Sequence, residues 1–340
     1  MRRRQFVTAK PLVSAIVATY NRAYVVGQAI ESILGQTYEN LEVIIVDDGS
    51  TDGTHEVLRR FGNRLRVFRQ ENAGPAAARN RGIAAARGDI ISFLDSDDIW
   101  LPEKTERQVA LLERAGNFVP CCVCNAVLKS RNRPTLTSFQ NSLLDPSEEE
   151  GLWLNAPQVL MNRFMLFNQT VAVRRKALDK IGGFDETLRY MEDYDLALRL
   201  SLLGPFAFIN EPLVNYNLGS TGSLADEALL KRTCLKEQIV RIRRRASETV
   251  MASSNYAKLR TPARRALRKA HRELWVARLR QRHLPGALTI SHLLERAEHY
   301  CSAIADRSPW FERMKVVPIL ERTAPISNSC SKLGFQGMAR

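Results

Sequence analysis

No apolar run in the 340 residues approaches the roughly 18 needed to span a bilayer. The opening MRRRQFVTAK leads into PLVSAIVATY, an apolar run broken by Ser14 and too short for the core of a secretory signal. These two absences predict a chain that stays in the cytosol. The six cysteines lack the paired C-x₂-C spacing, with further Cys or His ligands, that a zinc site requires. Three of them, Cys121, Cys122 and Cys124, crowd one apolar stretch, FVPCCVCNAVL, and read as buried reduced thiols. Also missing is a glycine-rich turn after the first strand: ATYNRAYVVG contains no G-x-G-x-x-G, and there is no P-loop. Any phosphate held by this chain must therefore be held by another device.

Acidic residues are scarce in one part only. Residues 1–225 carry 26 Lys and Arg against 26 Asp and Glu, whereas 226–340 carry 24 against 10, so the last third holds the whole net charge of +14. Length and this break together predict a catalytic domain over 1–225 and a basic helical extension over 226–340. Arginine-rich stretches such as KEQIVRIRRRASETV suit an anionic membrane surface, or a solvated appendage packed on the first domain. Few aromatics and no recognised motif argue against nucleic acid as the partner.

The first hundred residues alternate in period. LVSAIVATY (12–20) and LEVIIVDD (41–48) are of strand length, and between them YVVGQAIESILGQ sets Val26, Ile30, Ile33 and Leu34 on one helical face. The alternation continues through THEVLRRFG, LRVFRQ, a helix opening at Pro75, the strand DIISFLDS and a helix expected to open at Pro102. Such a text predicts a mostly parallel sheet with helices on both faces. From Lys129 to about Pro157 turn formers dominate and a long loop is expected. Strand and helix return in NQTVAVRRKALDKIGGF and EDYDLALRLSLLG, with PFAFINEPLVNYN as a closing strand or hairpin and a loose tail after Pro309.

Three strands end in polar clusters, ATYNR, VDDGSTD and LDSDD, and in an open α/β sheet such ends line one crevice. The third is the most demanding, since FLDSDDIW sets three aspartates between apolar runs. If the chain stays extended there, Asp95 and Asp97 share a side, and two carboxylates can hold a hard ion such as Mg²⁺ or Mn²⁺ that takes its remaining ligands from a diphosphate. Asp98 could be a turn residue, but a turn needs no three acids, so the cluster points to metal or nucleotide contact. In VDDGSTDGT, Ser50, Thr51 and Asp52 read as turn and N-cap residues, while Asp47 and Asp48 stand where one could accept hydrogen bonds from a base or ribose.

SAIVATYNR, VIIVDDGSTDGT, NAGPAAARNRG, ISFLDSDDIWLPEK, IGGFDE and EDYDLALRL, in this order, resemble the family 2 glycosyltransferases of GT-A fold over residues 11 to 222. The resemblance implies a metal-dependent, inverting transferase using a nucleotide-diphosphate sugar, UDP-linked in the first instance, and a glycan or lipid-linked acceptor in cell-surface polysaccharide synthesis. It implies that Thr19, Tyr20, Asn21 and Asp48 surround the nucleoside, with Arg79 near the base or phosphates. Asp95 would contact the ribose or metal region, and Asp97 would be the principal protein ligand of a divalent cation. The acceptor hydroxyl would lose its proton to Asp193, with Glu192 as the next choice, while Asp195 reads as a first-turn helix residue. It also implies work at the cytoplasmic face of a membrane, as a peripheral protein. One departure is visible: where many members carry Tyr-Arg-x-His, this chain reads NYNLGSTGS, with Asn217 and Gly219 in those places. Two other functions compete. A nucleotidyltransferase would need the phosphate loop that is missing, and a non-catalytic relative binding nucleotide sugar or a partner protein sits poorly with an intact DSDD and ED.

Overall fold

The computed structural model describes residues 10–129, 135–144, 146–217, 231–281 and 314–319. One mixed sheet organises them. Its strands are β1 (Val13–Thr19), β2 (Leu41–Asp47), β3 (Arg66–Arg69), β4 (Ile90–Asp95), β5 (Ile99–Trp100), β6 (Cys121–Lys129), β7 (Leu136–Thr137), β8 (Glu150–Trp153), β9 (Val171–Arg174), β10 (Phe206–Asn217) and β11 (Val316–Val317). They lie in the order β11-β8-β10-β6-β9-β4-β1-β2-β3, with β5 on β10 and β7 on β6. The β3-β2-β1-β4 half is parallel throughout, as is the β6–β10 pair, while β9 runs antiparallel to both β4 and β6.

Alternate strand residues feed two cores, as the period of two requires. Ile16, Ile44, Ile91, Phe93 and Val123 face one side, where they meet α3 (Pro75–Ala85), α7 (Arg175–Ile181) and α8 (Glu192–Ser201). Val17, Val43, Ile45, Ile90 and Cys122 face the other, against α1 (Val26–Leu34), α2 (Thr54–Arg59) and α4 (Lys104–Ala115). Proline opens α3 as expected, but α4 begins at Lys104 with Glu103 as its N-cap, so Pro102 stands outside the helix. The three clustered cysteines are buried free thiols on β6, and burial pushes their pKa up.

The expected loop before Pro157 is more ordered than its composition predicts. Thr137 and Gln140 close a capping box on α5 (Ser138–Asn141), β8 joins the sheet against β10, and α6 (Ala156–Leu160) follows. These elements are too short for any periodicity to register. The described part of the basic extension forms α9 (Arg232–Ala252) and α10 (Arg260–Gln281). Ile242, Ala246, Val250, Ala263 and Ala266 enter the same core as α8, and β11 pairs with β8 at the sheet edge where a loose tail was expected. Among the described residues no helix is long and apolar enough to cross a membrane.

One loop fixes how α3 meets the α7–α8 pair. Asn80 donates from Nδ2 to the Phe184 carbonyl at 3.0 Å and accepts from the Phe184 N–H at 2.9 Å. Gly183 has φ +70°, and a Cβ there would lie 2.7 Å from Asn80 Oδ1. Gly183→Ala is therefore expected to cost about 1–3 kcal/mol through strain and collision together, read as a fall in the urea midpoint at unchanged m.

Candidate active site

β1 has β2 on one side and β4 on the other, so a topological switch point opens beyond the carboxyl ends of these three strands. Thr19 is opposite Asp47 in the β1–β2 register, and Ala18 is opposite Asp95 in the β1–β4 register. The three polar clusters therefore meet. Asp47 accepts from the Ser50 N–H at 2.9 Å through Oδ1 and sets Oδ2 3.7 Å from Arg69 Nε, while the hydroxyl of Thr19 is buried with no hydrogen-bond partner among the described residues. Burying such an atom unsatisfied costs about 1–3 kcal/mol, so the crevice floor holds spare hydrogen-bonding capacity.

The LDSDD segment departs from the extended geometry expected of it. The strand stops at Asp95, and the Asp98 N–H donates to the Asp95 carbonyl at 3.1 Å, closing a tight turn that leads into β5. Strand alternation therefore does not set Asp95 and Asp97 on one side. Both Asp95 oxygens are engaged, Oδ1 by Arg79 Nη2 at 2.7 Å and Oδ2 by the side-chain amide of Gln169. Asp97 is half-buried in the turn, and the Asn217 side chain donates to its carbonyl. Asp98 is 1% exposed and accepts from the Asn217 N–H at 2.8 Å, while its other oxygen has no hydrogen-bond partner. Burial, then the charges of Asp95 and Asp97, push its pKa well above the usual carboxylate range.

Arg79 joins this turn to α8. Its Nη1 lies 2.7 Å from Glu192 Oε1, so the two ends of one buried guanidinium hold Asp95 and Glu192. Burial opposes its charge, but the two carboxylates hold the guanidinium protonated. Met191, in the left-handed region at φ 64°, precedes α8, whose first turn carries Glu192, Asp193 and Asp195 where a helix N-terminus favours acids. Asp195 pairs with Arg199 and Arg245, a structural role. Burial, followed by the charge of Glu192, pushes the Asp193 carboxyl up to about 8 against the pull of Arg79. Tyr216, near the end of β10, is raised by burial and then by Asp98, Asp95, Asp97 and Asp193, so its hydroxyl shares the field of both acidic motifs.

The remaining expected residues lie at the same strand ends with other partners. Asp48 accepts from Gln70 Nε2 at 2.7 Å and from the N–H groups of Ala73 and Gly74 at 2.9 and 2.8 Å, which fastens the loop ahead of α3. Asn21, at φ 52°, accepts from the Thr51 N–H at 2.8 Å, and Tyr20 is 45% exposed. Asp52 accepts from the N–H of Thr54 at 2.9 Å, the turn role expected of it. Sequence reasoning missed Gln169 and Tyr216. Tyr216 carries the same signal as the other clusters, a polar strand end, whereas nothing around Gln169 sets it apart. Residues 218–230, with Gly219 and the serines after it, lie outside the described residues. Among the described residues no group of three or more potential metal ligands converges on one point. The turn nonetheless offers carboxylate oxygens of the kind a hard cation accepts, one of them buried and unpartnered.

The model of the glycosyl transferase family 2 matches residues 14–182. An uncharacterized glycosyltransferase of Haemophilus influenzae is 32% identical over 210 residues, covering 59% of this chain and 67% of that protein. This chain belongs to glycosyltransferase family 2. A second family relative, an uncharacterized glycosyltransferase of Rickettsia typhi, is 32% identical over 207 residues, 61% of this chain. The chain spans 64% of the length of that relative and 34% of the one from Rickettsia felis. The same fold is seen in two solved structures. S. aureus TarS 1-349 in complex with UDP-GlcNAc superposes with a TM-score of 0.61 at 19% identity, over 77% of this chain and 72% of that one. The mannosyltransferase PcManGT from Pyrobaculum calidifontis, in complex with GDP-Man and Mn²⁺, gives 0.53 at 22% identity, over 88% and 81%.

Proposed function

We propose that this chain is a metal-dependent inverting glycosyltransferase that moves a sugar from a nucleoside-diphosphate donor, UDP-linked in the first instance, to a hydroxyl of a glycan or lipid-linked acceptor. The setting is cell-surface polysaccharide synthesis at the cytoplasmic face of the membrane, with 1–225 as catalytic domain and 226–340 as a basic extension toward an anionic surface. The observation that carries this reading is Arg79, whose two 2.7 Å ion pairs tie the DSDD turn to the first turn of α8. In this reading a donor-side acid cluster and an acceptor-side acid pair form one site.

In this reading the Asp193 carboxylate takes the proton of the acceptor hydroxyl as that oxygen forms a bond to the anomeric carbon. The bond from that carbon to the diphosphate breaks in the same displacement, and the nucleoside diphosphate leaves. Glu192 is tied to Arg79 and holds the base in place. The Thr19 hydroxyl, which has no hydrogen-bond partner among the described residues, supplies hydrogen-bonding capacity for the nucleoside, beside Asp47, Tyr20, Asn21 and Asp48. Asp97 and Asp95 would hold a Mg²⁺ or Mn²⁺ ion. When bound, that ion supplies Lewis-acid neutralisation of the leaving group. UDP, UDP-GlcNAc and GDP-Man with Mn²⁺ in the solved relatives support a nucleotide-sugar donor and a cation.

Calorimetry of UDP, GDP and TDP, with and without Mn²⁺, tests the assignment. One diphosphate is expected to bind tightly only with metal, and Asp97→Ala is expected to weaken it at least about tenfold, or about 1.4 kcal/mol. A folded chain that binds none of the three would discard the metal site and leave a non-catalytic relative.

A further inference from the structure

The two faces of α10 differ in chemistry. Ala263, Ala266, Ala270 and Leu274 recur at helical spacing and are buried, the first two in the core shared with α8 and the last two against Val240 of α9. On the opposite face Arg264, Arg265, Arg268 and Arg272 are all exposed, and Trp275, one turn beyond Arg272 and two beyond Arg268, is 53% exposed. Glu273 is the sole acid among residues 260–281, and it is taken by Lys236 of α9 at 2.6 Å. Arg264, Arg265, Arg268 and Lys269 have no acidic partner among the described residues. A folded helix that turns small apolar residues inward and spaces exposed arginines at i, i+4 along its outer face presents a fixed cationic stripe rather than a diffuse charged coil.

We propose that this outer face of α10 is the surface by which the chain docks on an anionic phospholipid bilayer, with Arg264, Arg265 and Arg268 on headgroup phosphates and Trp275 in the interfacial layer. It deepens the membrane-facing part of the proposed function and rests on that reading for its choice of ligand. Charge complementarity selects an anionic surface, and the exposed indole selects a bilayer within that class. A tryptophan ring with an apolar body and a polar N–H is stabilised at the headgroup level, whereas a phosphate-tracking nucleic-acid surface interleaves several aromatics with its cations. Trp275 is the one aromatic on the described stripe. Arginine stems can lie along the interface with their heads at the phosphates. α9 and α10 pack on the same core as α8, so docking would anchor the helix that carries Glu192 and Asp193 to the surface where a lipid-linked acceptor resides.

The test uses the full chain with vesicles of phosphatidylcholine alone and with about one third phosphatidylglycerol. Sedimentation is expected with the anionic vesicles only and is lost as salt rises, since the Debye length falls from about 10 Å at 0.1 M to about 3 Å at 1 M. Each basic residue near such a surface contributes on the order of 1 kcal/mol, so Arg264→Glu, Arg265→Glu and Arg268→Glu together are expected to lower the partition coefficient about a hundredfold or more. Arg264→Gln with Arg268→Gln, a milder pair, is expected to lower it at least about tenfold. Trp275→Phe should abolish the vesicle-induced blue shift of the emission. Wild type and the charge variants binding alike, a blue shift that persists in Trp275→Phe, or binding to an RNA duplex without binding to vesicles would each overturn the proposal. UDP calorimetry on the same samples separates the readings: retained UDP binding without docking leaves the transferase assignment intact, and docking without UDP binding removes that assignment alone.

Discussion

Asp193→Asn is expected to lower turnover about 10²- to 10⁴-fold, the usual contribution of a positioned general base, with UDP affinity changed less than about threefold. The basis is electrostatic. Asp193 is half-buried near Glu192 and Arg79, and burial followed by the Glu192 charge brings its carboxyl up to about 8, close to the value at which a base combines sufficient ionisation with sufficient proton affinity. In the wild type kcat/KM should therefore climb about tenfold per pH unit up to about pH 8 and then level. The variant should lack that climb. Glu192→Gln is expected to be milder in turnover, because that side chain is committed to Arg79. A profile that stays flat below pH 8, or an Asn variant retaining half the activity, would move the base elsewhere.

The same shift bears on stability, with a definite sign. A carboxyl raised from 3.8 to about 8 on folding means that the folded chain keeps a proton the unfolded chain releases. Its favourable contribution is complete below about pH 4 and is lost as pH rises through 8. Asn carries no such dependence. The difference in Tm between Asp193→Asn and wild type should thus widen from near zero at pH 4 to several degrees at pH 8.5. A difference that narrows over this interval would mean that the folded carboxyl is ionised at neutral pH.

The regular half of the fold was legible because it obeys period. β1, β2, β4 and the inner face of α1 follow from alternation and 3.6-residue spacing, and their strand ends carry three polar clusters that only a shared crevice could satisfy. Gln169 was not legible: it precedes β9 in a 3-10 turn, and its contact with Asp95 spans 74 residues. The arrangement inside DSDD was misjudged for the opposite reason, since the local sequence is compatible with both an extended end and a turn. The pairing of β5 with β10 coincides with the turn. No window around residue 97 contains residue 214. For β8 and β11 the cause is length, because strands of four and two residues exist through their partners rather than through any pattern of their own.

Arg79→Met is expected to lose about 2–4 kcal/mol of stability, since it strands the buried Glu192 and half-buried Asp95 carboxylates by removing their common partner. Methionine keeps the length and packing of the stem, including the contact with Phe184, over whose ring the guanidinium carbon lies at 5.5 Å. What it removes is one positive charge bonded to Asp95 and Glu192, at sites where the ring of acids already includes Asp98 and Asp193. The loss should therefore depend on the stranded charges. Adding Glu192→Gln to Arg79→Met is expected to recover at least about 1 kcal/mol, and a coupling energy below about 0.5 kcal/mol in the double-mutant cycle would show that the bridge does not link the two motifs. Because Arg79 also pulls the Asp193 carboxyl down, its removal should drive the rise of kcat/KM to still higher pH. Merely loosened packing would lower the urea midpoint without that alkaline displacement, so the two measurements on one variant distinguish a strut from an electrostatic hinge between donor and acceptor sides.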